Sequence, residues 1–414
     1  MVINLSDWVC GDLSAAEAAS DKGLCDHCLG RLFGKSGTGM TNAERGRIIR
    51  DALRTNGIPS EAPDMCSLCE DVFDVLDRFA EAAAEAIMSV ESDNFLIGTR
   101  VDPEISAKEE AFWEELGTVD AEPLKAELNR EIGKLTVPLV NRSVEFKNPQ
   151  AVACVDTRFA DVTLNLAPVF IYGRYNKLSR EIPQTVWPCR MCKGKGCERC
   201  GGIGKMYTTS VQEVIGDIAL NMFGGKEHFM HGMGREDIDA LMLGTGRPFV
   251  LEISEPRRRN IDLAELEKAA NLSDIAKFNG LSYTGRETVK IVKTAAPSKT
   301  YRVKVRAYGK VNKERVIEVA QSFRNLCIDQ RTPARVEHRR ADLVRNRKIL
   351  WVEAEPTGDE TFDLTLETES GTYVKEFVSG DEGRSRPNFS EALGVQCRVE
   401  ALDVLAINDH EVIR

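Results

Sequence analysis

Residues 232–253, Gly-Met-Gly-Arg-Glu-Asp-Ile-Asp-Ala-Leu-Met-Leu-Gly-Thr-Gly-Arg-Pro-Phe-Val-Leu-Glu-Ile, are the most informative stretch of this chain. Glycines at 232 and 234, and again at 244 and 246, bracket a charged core, and Phe249 to Ile253 reads as a buried strand. The pattern predicts a loop that brings an acid to the surface of a pocket, with Gly244, Gly246, Arg247 and Pro248 leading into that strand. A capping acid paired with Arg235 is the plainer structural alternative for the same residues.

Working outward, a helix is expected at Val211 to Met222 and another at Asp262 to Phe278. Strands follow at Thr300 to Ala307, Ala334 to His338, Ile349 to Ala354 and Thr361 to Thr368, with a helix at Glu314 to Arg324. The first 130 residues are mainly helical by pattern, with amphipathic segments near 43–54, 70–90, 107–116 and 123–133. The Ala-rich, acidic stretch within 71–91 fits a helix with a solvated face. Extended segments then appear at 151–155, 161–166 and 169–172. The expectation is an α+β chain: an accessory domain over 1–185, a cysteine-rich connection over 186–206 and a second mixed domain over 207–414. No 20–50-residue period repeats, and a P-loop, a strand-borne G-x-G-x-x-G and an H-E-x-x-H are all missing, which sets aside ATP-dependent and dinucleotide-dependent classes.

Charge has to be read by region. The 414 residues carry 55 Lys and Arg against 65 Asp and Glu, a net of −10 that argues against a nucleic-acid partner. Residues 1–150 hold −13 and the remainder +3, with seven basic residues against one acidic between Arg286 and Arg306, and seven against two between Arg331 and Lys348. Solvated strand or helix faces would explain these stripes as simply as a polyanion would. With 42% hydrophobic residues, no apolar run long enough for a membrane helix and no signal-like start at Met1 to Asp7, the expectation is a globular, cytoplasmic protein without a membrane partner.

Eight of twelve cysteines fall in four Cys-x-x-Cys pairs: Cys25 with Cys28, Cys66 with Cys69, Cys189 with Cys192, and Cys197 with Cys200. One such turn aims two sulfurs at one ion, and two turns complete a tetrahedron. A structural zinc is expected at Cys25, Cys28, Cys66 and Cys69, and a second at Cys189, Cys192, Cys197 and Cys200, where the C-x-x-C-x-G-x-G halves resemble DnaJ-type zinc knuckles. Four protein ligands leave no open position for water or substrate, so the metal would support the fold. Cys10, Cys154, Cys327 and Cys397 read as small buried hydrophobes.

Gly234-Arg235-Glu236-Asp237 resembles the G-R-x-D element of pseudouridine synthases, whose Asp is catalytic. Residues 298–309, with Tyr301, resemble that superfamily's K-x-Y strand element, and residues 370–387, with Lys375, its G-T-Y-[IV]-[RK] element. Lys375 stands where many members have Arg, keeping the charge while losing bidentate geometry. With the block 330–348 and the N-terminal Cys pairs, nearly the whole chain is similar to the archaeal and eukaryotic tRNA pseudouridine-54/55 synthase family. The resemblance implies a C-terminal pseudouridine-synthase catalytic domain of mainly antiparallel sheet, preceded by a zinc-binding module with a THUMP domain that holds the tRNA acceptor arm. It places the THUMP pattern at 168–185, with Arg174, Lys177 and Arg180 as contacting charges.

Under that resemblance Asp237 is the carboxylate that acts at the sugar, with Asp239 as rival, Lys375 keeps it ionised and aimed, and Tyr301 stacks on the flipped uracil with a phenol able to accept a proton. The isomerisation has no net redox change and needs no organic cofactor. Arg257, Arg258, Arg302, Arg335, Arg339 and Arg340 are candidate contacts to tRNA phosphates, and no obligate protein partner is evident. Competing readings are a non-catalytic zinc and THUMP module, a DnaJ-like protein, which would need a His-Pro-Asp tripeptide that does not occur, and a THUMP-linked methyltransferase or thiouridine synthetase lacking its nucleotide loops.

Overall fold

Two units divide the chain: residues up to Ala167 together with Arg257–Arg259, and Pro168–Pro256 together with the chain from Asn260 onward. The computed structural model describes residues 13–35, 39–117, 120–339 and 341–409, without the side chains of Leu13, His338 and Arg339. Cys10, Arg340 and the Arg339 side chain therefore lie outside the described residues.

The first unit runs α1 (Leu13–Ser20), α2 (Asp26–Arg31), α3 (Asn42–Thr55), α4 (Leu76–Met88), β1 (Asn94–Arg100), α5 (Pro103–Leu116), α6 (Leu124–Val140), β2 (Ser143–Val144), β3 (Ala151–Asp156) and β4 (Asp161–Leu166). Its sheet has the order β2-β1-β3-β4, with β1 parallel to both neighbours and β4 antiparallel. Alternate residues Phe95 and Ile97 on β1, and Ala151, Ala153 and Val155 on β3, turn to one buried face. They share a core with Phe79, Ala83 and Ile87 of α4 and Leu128 and Ile132 of α6, the i, i+4 stripe that makes an amphipathic helix pack. Helix α3 begins on a capping box, the Thr41 hydroxyl accepting from the Glu44 amide while the Glu44 carboxylate accepts from the Thr41 amide. α2 and α3 cross closely: a Cβ on Gly30 would lie 1.8 Å from the Asn42 carbonyl oxygen, and one on Gly46 2.0 Å from that of Asp26.

The second unit runs β5 (Val169–Lys177), α7 (Val211–Phe223), β6 (Glu227–Gly232), β7 (Leu241–Ser254), α8 (Leu263–Ala270), β8 (Ala276–Thr284), α9 (Arg286–Thr294), β9 (Ser298–Ala307), α10 (Lys313–Ser322), β10 (Leu326–Arg331), β11 (Val344–Pro356), β12 (Thr361–Thr368), α11 (Val374–Ser379), β13 (Ser385–Arg386), α12 (Phe389–Leu393) and β14 (Cys397–Asn408). These strands form one sheet of order β13-β10-β11-β12-β9-β14-β7-β5-β8, with β6 also on β7. The β14–β7 pairing is parallel and the other described pairings are antiparallel.

Three expectations change. β5 is hydrogen-bonded between β7 and β8, so residues 168–185 belong to the second unit, and the boundary expected after 185 falls at 167. The helix expected over 262–278 ends at Ala270, where Asn271 caps it, and Ala276 and Phe278 are alternate buried residues of β8. The strand expected at 334–338 is a 3-10 turn over Ala334–Arg339; Pro333, with its φ fixed near the helical value, starts it and buried Val336 anchors it.

Candidate active site and cysteine centres

The loop between β6 and β7 is pinned from below. The Lys177 ammonium, at the end of β5, is buried and donates to the carbonyl oxygens of Ile238 (2.5 Å), Ser179 (3.1 Å) and Ile182 (3.2 Å). Arg247 on β7 donates through Nε to Glu236 Oε2 (2.8 Å) and through Nη1 to the Met233 carbonyl oxygen (2.7 Å), and the Tyr175 hydroxyl donates to Glu236 at 3.0 Å. Gln184 Nε2 donates to the Gly234 carbonyl oxygen (3.1 Å), and Gly234 itself takes a φ of +75°, which a glycine adopts without cost. With Glu236 turned inward, Asp237 turns the other way.

Asp237, Tyr301 and Lys375 come from three separate segments and line one cleft of about 490 Å³, together with Gly234, Lys299, Arg335 and Thr372. Asp237 Oδ2 lies 3.2 Å from Arg335 Nη1 and 3.6 Å from Lys375 Nζ. Lys375 is nearer to the other acid, 2.8 and 3.0 Å from the two Asp239 carboxylate oxygens. Burial opposes ionisation of Asp239, but the Lys375 hydrogen bond and charge outweigh it and hold the carboxyl below its ordinary range. Asp239 is 67% exposed and is not part of the cleft wall, whereas Asp237 is 40% exposed and is. Arg335 is fixed by a second carboxylate, donating through Nε to Glu376 at 2.6 Å. The arginine expected on a phosphate is thus the nearest cation to Asp237.

Tyr301 is 9% exposed on β9, and burial pushes its phenol up to about 12, so the ring enters the cleft as neutral tyrosine. Lys299, two residues earlier on the same face of β9, is equally buried, and burial brings its ammonium down to about 8. Arg302 is exposed on the opposite face of that strand, away from the cleft. Arg257 and Arg258 are exposed in the segment that packs with the first unit, where the Arg257 carbonyl oxygen accepts from the Glu91 amide (2.9 Å).

The charges expected on a THUMP surface are structural links of the second unit. Arg174 holds Asp409 (3.0 and 3.1 Å) and the Thr245 carbonyl oxygen (2.8 Å), Arg180 holds Asp403 (2.5 Å), and Lys177 is internal. Sequence reasoning passed over the Glu236–Arg247–Tyr175 network and counted Lys299 only among the basic residues flanking Tyr301 as phosphate contacts. Its signal was available: residue 299 shares a strand face with 301.

In each cysteine group the four sulfurs lie within 4.8 Å of one another. Sulfur–sulfur separations are 3.7 Å for Cys25 and Cys69, 3.8 Å for Cys189 and Cys197, and 3.9 Å for Cys192 and Cys200. Sulfurs at about 2.3 Å from a tetrahedral ion stand about 3.8 Å apart, whereas a disulfide would bring them to about 2.05 Å. Both groups therefore have the chemistry and spacing to hold a metal ion. Amides of Cys25 and Gly204 donate to Cys66 and Cys200 sulfurs, as expected around thiolates. The short linker Lys193 to Gly196 closes the second group because Lys193, Gly194 and Gly196 adopt positive φ.

The sequence matches two family models, "Pus10, C-terminal" over residues 170–408 and "Pus10 THUMP domain, archaeal" over residues 79–156. Curated relatives called tRNA pseudouridine synthase Pus10 include those of Halorubrum lacusprofundi (39% identical, 96% of each chain), Methanopyrus kandleri (38%, 93% of this chain and 95% of the relative) and Pyrococcus furiosus (39%, 95% and 97%). Among solved structures, a Cbf5-Nop10-Gar1 complex is similar over 47% of this chain and 44% of that one at 17% identity, with a TM-score of 0.31, too distant to argue from. The cleft brings a carboxylate flanked by two cations together with a buried tyrosine, and the family models and relatives place the chain in the class of RNA-modifying isomerases. The chain belongs to the Pus10 family of tRNA pseudouridine synthases. Among its described residues no helix is long and apolar enough to cross a membrane.

Proposed function

We propose that this chain converts uridine 55 of the tRNA TΨC arm to pseudouridine, with uridine 54 as a second target, and that Asp237 and Tyr301 do the work. The observation that carries this is the meeting of Asp237 and Tyr301 in one cleft, from segments 64 residues apart in sequence, in a chain of this family. The Asp237 carboxylate acts at the sugar, adding to C1′ or stabilising it while C2′ loses a proton. Arg335 and Lys375 aim its Oδ2. Tyr301 stacks on the extruded uracil, and its high phenol pKa favours a neutral stacking partner over a phenolate base.

The first unit, containing the region matched to the THUMP model, engages the acceptor arm, with Arg257 and Arg258 as phosphate contacts. Each cysteine group holds a structural zinc, which fills its coordination with protein ligands and secures the fold. Tritium release from tRNA labelled at uridine C5, on transcripts with uridine 54 or 55 replaced by cytidine, assigns the targets. Asp237→Asn should abolish release while Asp239→Asn retains it; full activity in Asp237→Asn would overturn the reading.

A further inference from the structure

Lys299 faces the cleft beside Tyr301 and is 9% exposed. Its ammonium forms no ion pair with a carboxylate among the described residues; its hydrogen-bond contact is Ser370 Oγ at 3.5 Å. Of the charged groups around it, Glu236 is already taken by Arg247, and Asp237 is held by Arg335 and Lys375. An unpaired ammonium removed from water is costly, and a fold retains one where a ligand supplies the missing partner. The position also selects among ligand groups. Arg335 is 40% exposed and engaged with Asp237, whereas Lys299 is 9% exposed and shares the buried face of its strand with Tyr301, where a stacked base and not a solvated phosphate would meet it.

We infer that Lys299 donates a hydrogen bond to a carbonyl oxygen of the uracil ring and stabilises the base as an anion while it is detached from the sugar. This rests on the cleft being the isomerisation site. When N1–C1′ breaks, the electron pair stays on N1 and spreads to O2 and O4, and the deficiency at C1′ is met by an Asp237 oxygen or by loss of the C2′ proton. C5 then bonds to C1′ as the Asp237 oxygen is expelled or the C2′ proton is returned, the C5 proton leaves and N1 takes a proton, so the ring ends neutral, the carboxylate is regenerated and Lys299 keeps its proton throughout. An ammonium donating to O2 or O4 gains most when the ring carries its charge, so it lowers the barrier more than it tightens binding.

The test is single-turnover pseudouridylation by the full-length protein with Lys299→Met and Lys299→Gln, on transcripts carrying uridine or 5-fluorouridine at the target. Fluorine makes the detached base a weaker base and hence a better leaving group. The expected result is a loss of about 100-fold in rate on uridine, with tRNA affinity within about threefold of wild type. On the fluorinated substrate the loss of glycosidic cleavage is at least about fivefold smaller. The wild-type rate should also fall as pH rises through about 8, and that limb should vanish in Lys299→Met. Arg247 and Glu236 from β7 and its preceding loop, with Tyr301 and Asp237, are the titratable groups facing it, and none is replaced. Equal losses on both substrates, or weaker and less salt-dependent binding with unchanged chemistry, would overturn the inference, the latter making Lys299 a phosphate contact. Unaltered Lys299 variants beside an inactive Asp237→Asn would sink this role alone, whereas an active Asp237→Asn would remove the reading on which it rests.

Discussion

Glu236 and Arg247 form an ion pair of 2.8 Å in which each side chain is 1% exposed. The pair ties the loop before β7 to the strand itself, and the Tyr175 hydroxyl completes the carboxylate's hydrogen bonding. Removing one partner leaves the other charge buried without compensation. Arg247→Met should therefore cost about 3–5 kcal/mol in denaturant unfolding. The double variant Glu236→Leu/Arg247→Met should recover a large part of that loss, because no orphan charge remains. If the double variant is as unstable as the sum of the two single variants, the pair is not coupled as described.

Arg335 and Lys375 divide two acids between them, Arg335 nearest to Asp237 and Lys375 nearest to Asp239. Arg335→Gln should lower kcat by about 10–100-fold through loss of carboxylate aim, with KM for tRNA changed far less. Lys375→Met should be the milder of the two. Steady-state kinetics on both variants decides it, and a KM effect confined to Arg335→Gln would return that arginine to a phosphate-contact role.

The α2–α3 crossing leaves no space for a methyl group at Gly30 or Gly46. The same crossing carries the Asp26–Arg50 ion pair at 2.8 Å and positions Cys25 and Cys28 at the start of α2. Gly46→Ala should destabilise the first unit by about 2–3 kcal/mol, and metal content should fall with it. Thermal unfolding and metal analysis on the same samples test both parts.

Cys69→Ser and Cys200→Ser should each remove one metal ion of the two expected per chain. The first variant should melt at lower temperature, because Cys66 and Cys69 are buried in the core of the first unit. The second should leave the first unit's transition intact. Fewer than two ions in the wild-type protein would eliminate one of the centres.

Burial depresses the Lys299 pKa in the folded chain to about 8, against 10.5 for an unhindered lysine. Between those values the unfolded chain binds a proton that the folded chain does not, so the contribution of this group to stability rises with pH from about 8 upward. At pH 7 the charged form is carried at a cost, and Lys299→Met should raise stability by roughly 1–3 kcal/mol. Denaturant curves at pH 7 and pH 9 should show the advantage of the variant shrinking at the higher pH; a constant advantage would mean that the residue does not titrate there.

Much of this molecule was legible from its residues, and what was not has identifiable causes. Helices α3, α5, α7 and α10 lay within a few residues of their expected limits because their apolar stripes and caps are local signals. The Cys-x-x-Cys pairs and the loop at 234–237 were legible because their chemistry is written in residue type and spacing. β5 was assigned to the wrong unit because an apolar run such as Val169 to Tyr172 says that it is buried and not against which strand. Lys177, Arg174 and Arg180 looked like RNA contacts because a basic residue in sequence does not show its carbonyl or carboxylate partner; Asp409 lies 235 residues from Arg174. Nor could the pattern separate Arg335 from its basic neighbours, since the carboxylates that claim it come from two other segments.

The strand order has a consequence for synthesis. The centre of the large sheet reads β9, β14, β7, β5, so residues 397–408 are inserted between two strands made much earlier. Leu402 and Val404 of that strand form part of the wall beside Tyr301. A ribosome-bound chain that has already emitted Asp237, Tyr301 and Lys375 still lacks β14, whose Val404 lies opposite Tyr301 in the sheet. A chain that has not yet added residues 397–408 therefore carries Asp237, Tyr301 and Lys375 without the strand that pairs with β9 and supplies two apolar residues of the cleft wall.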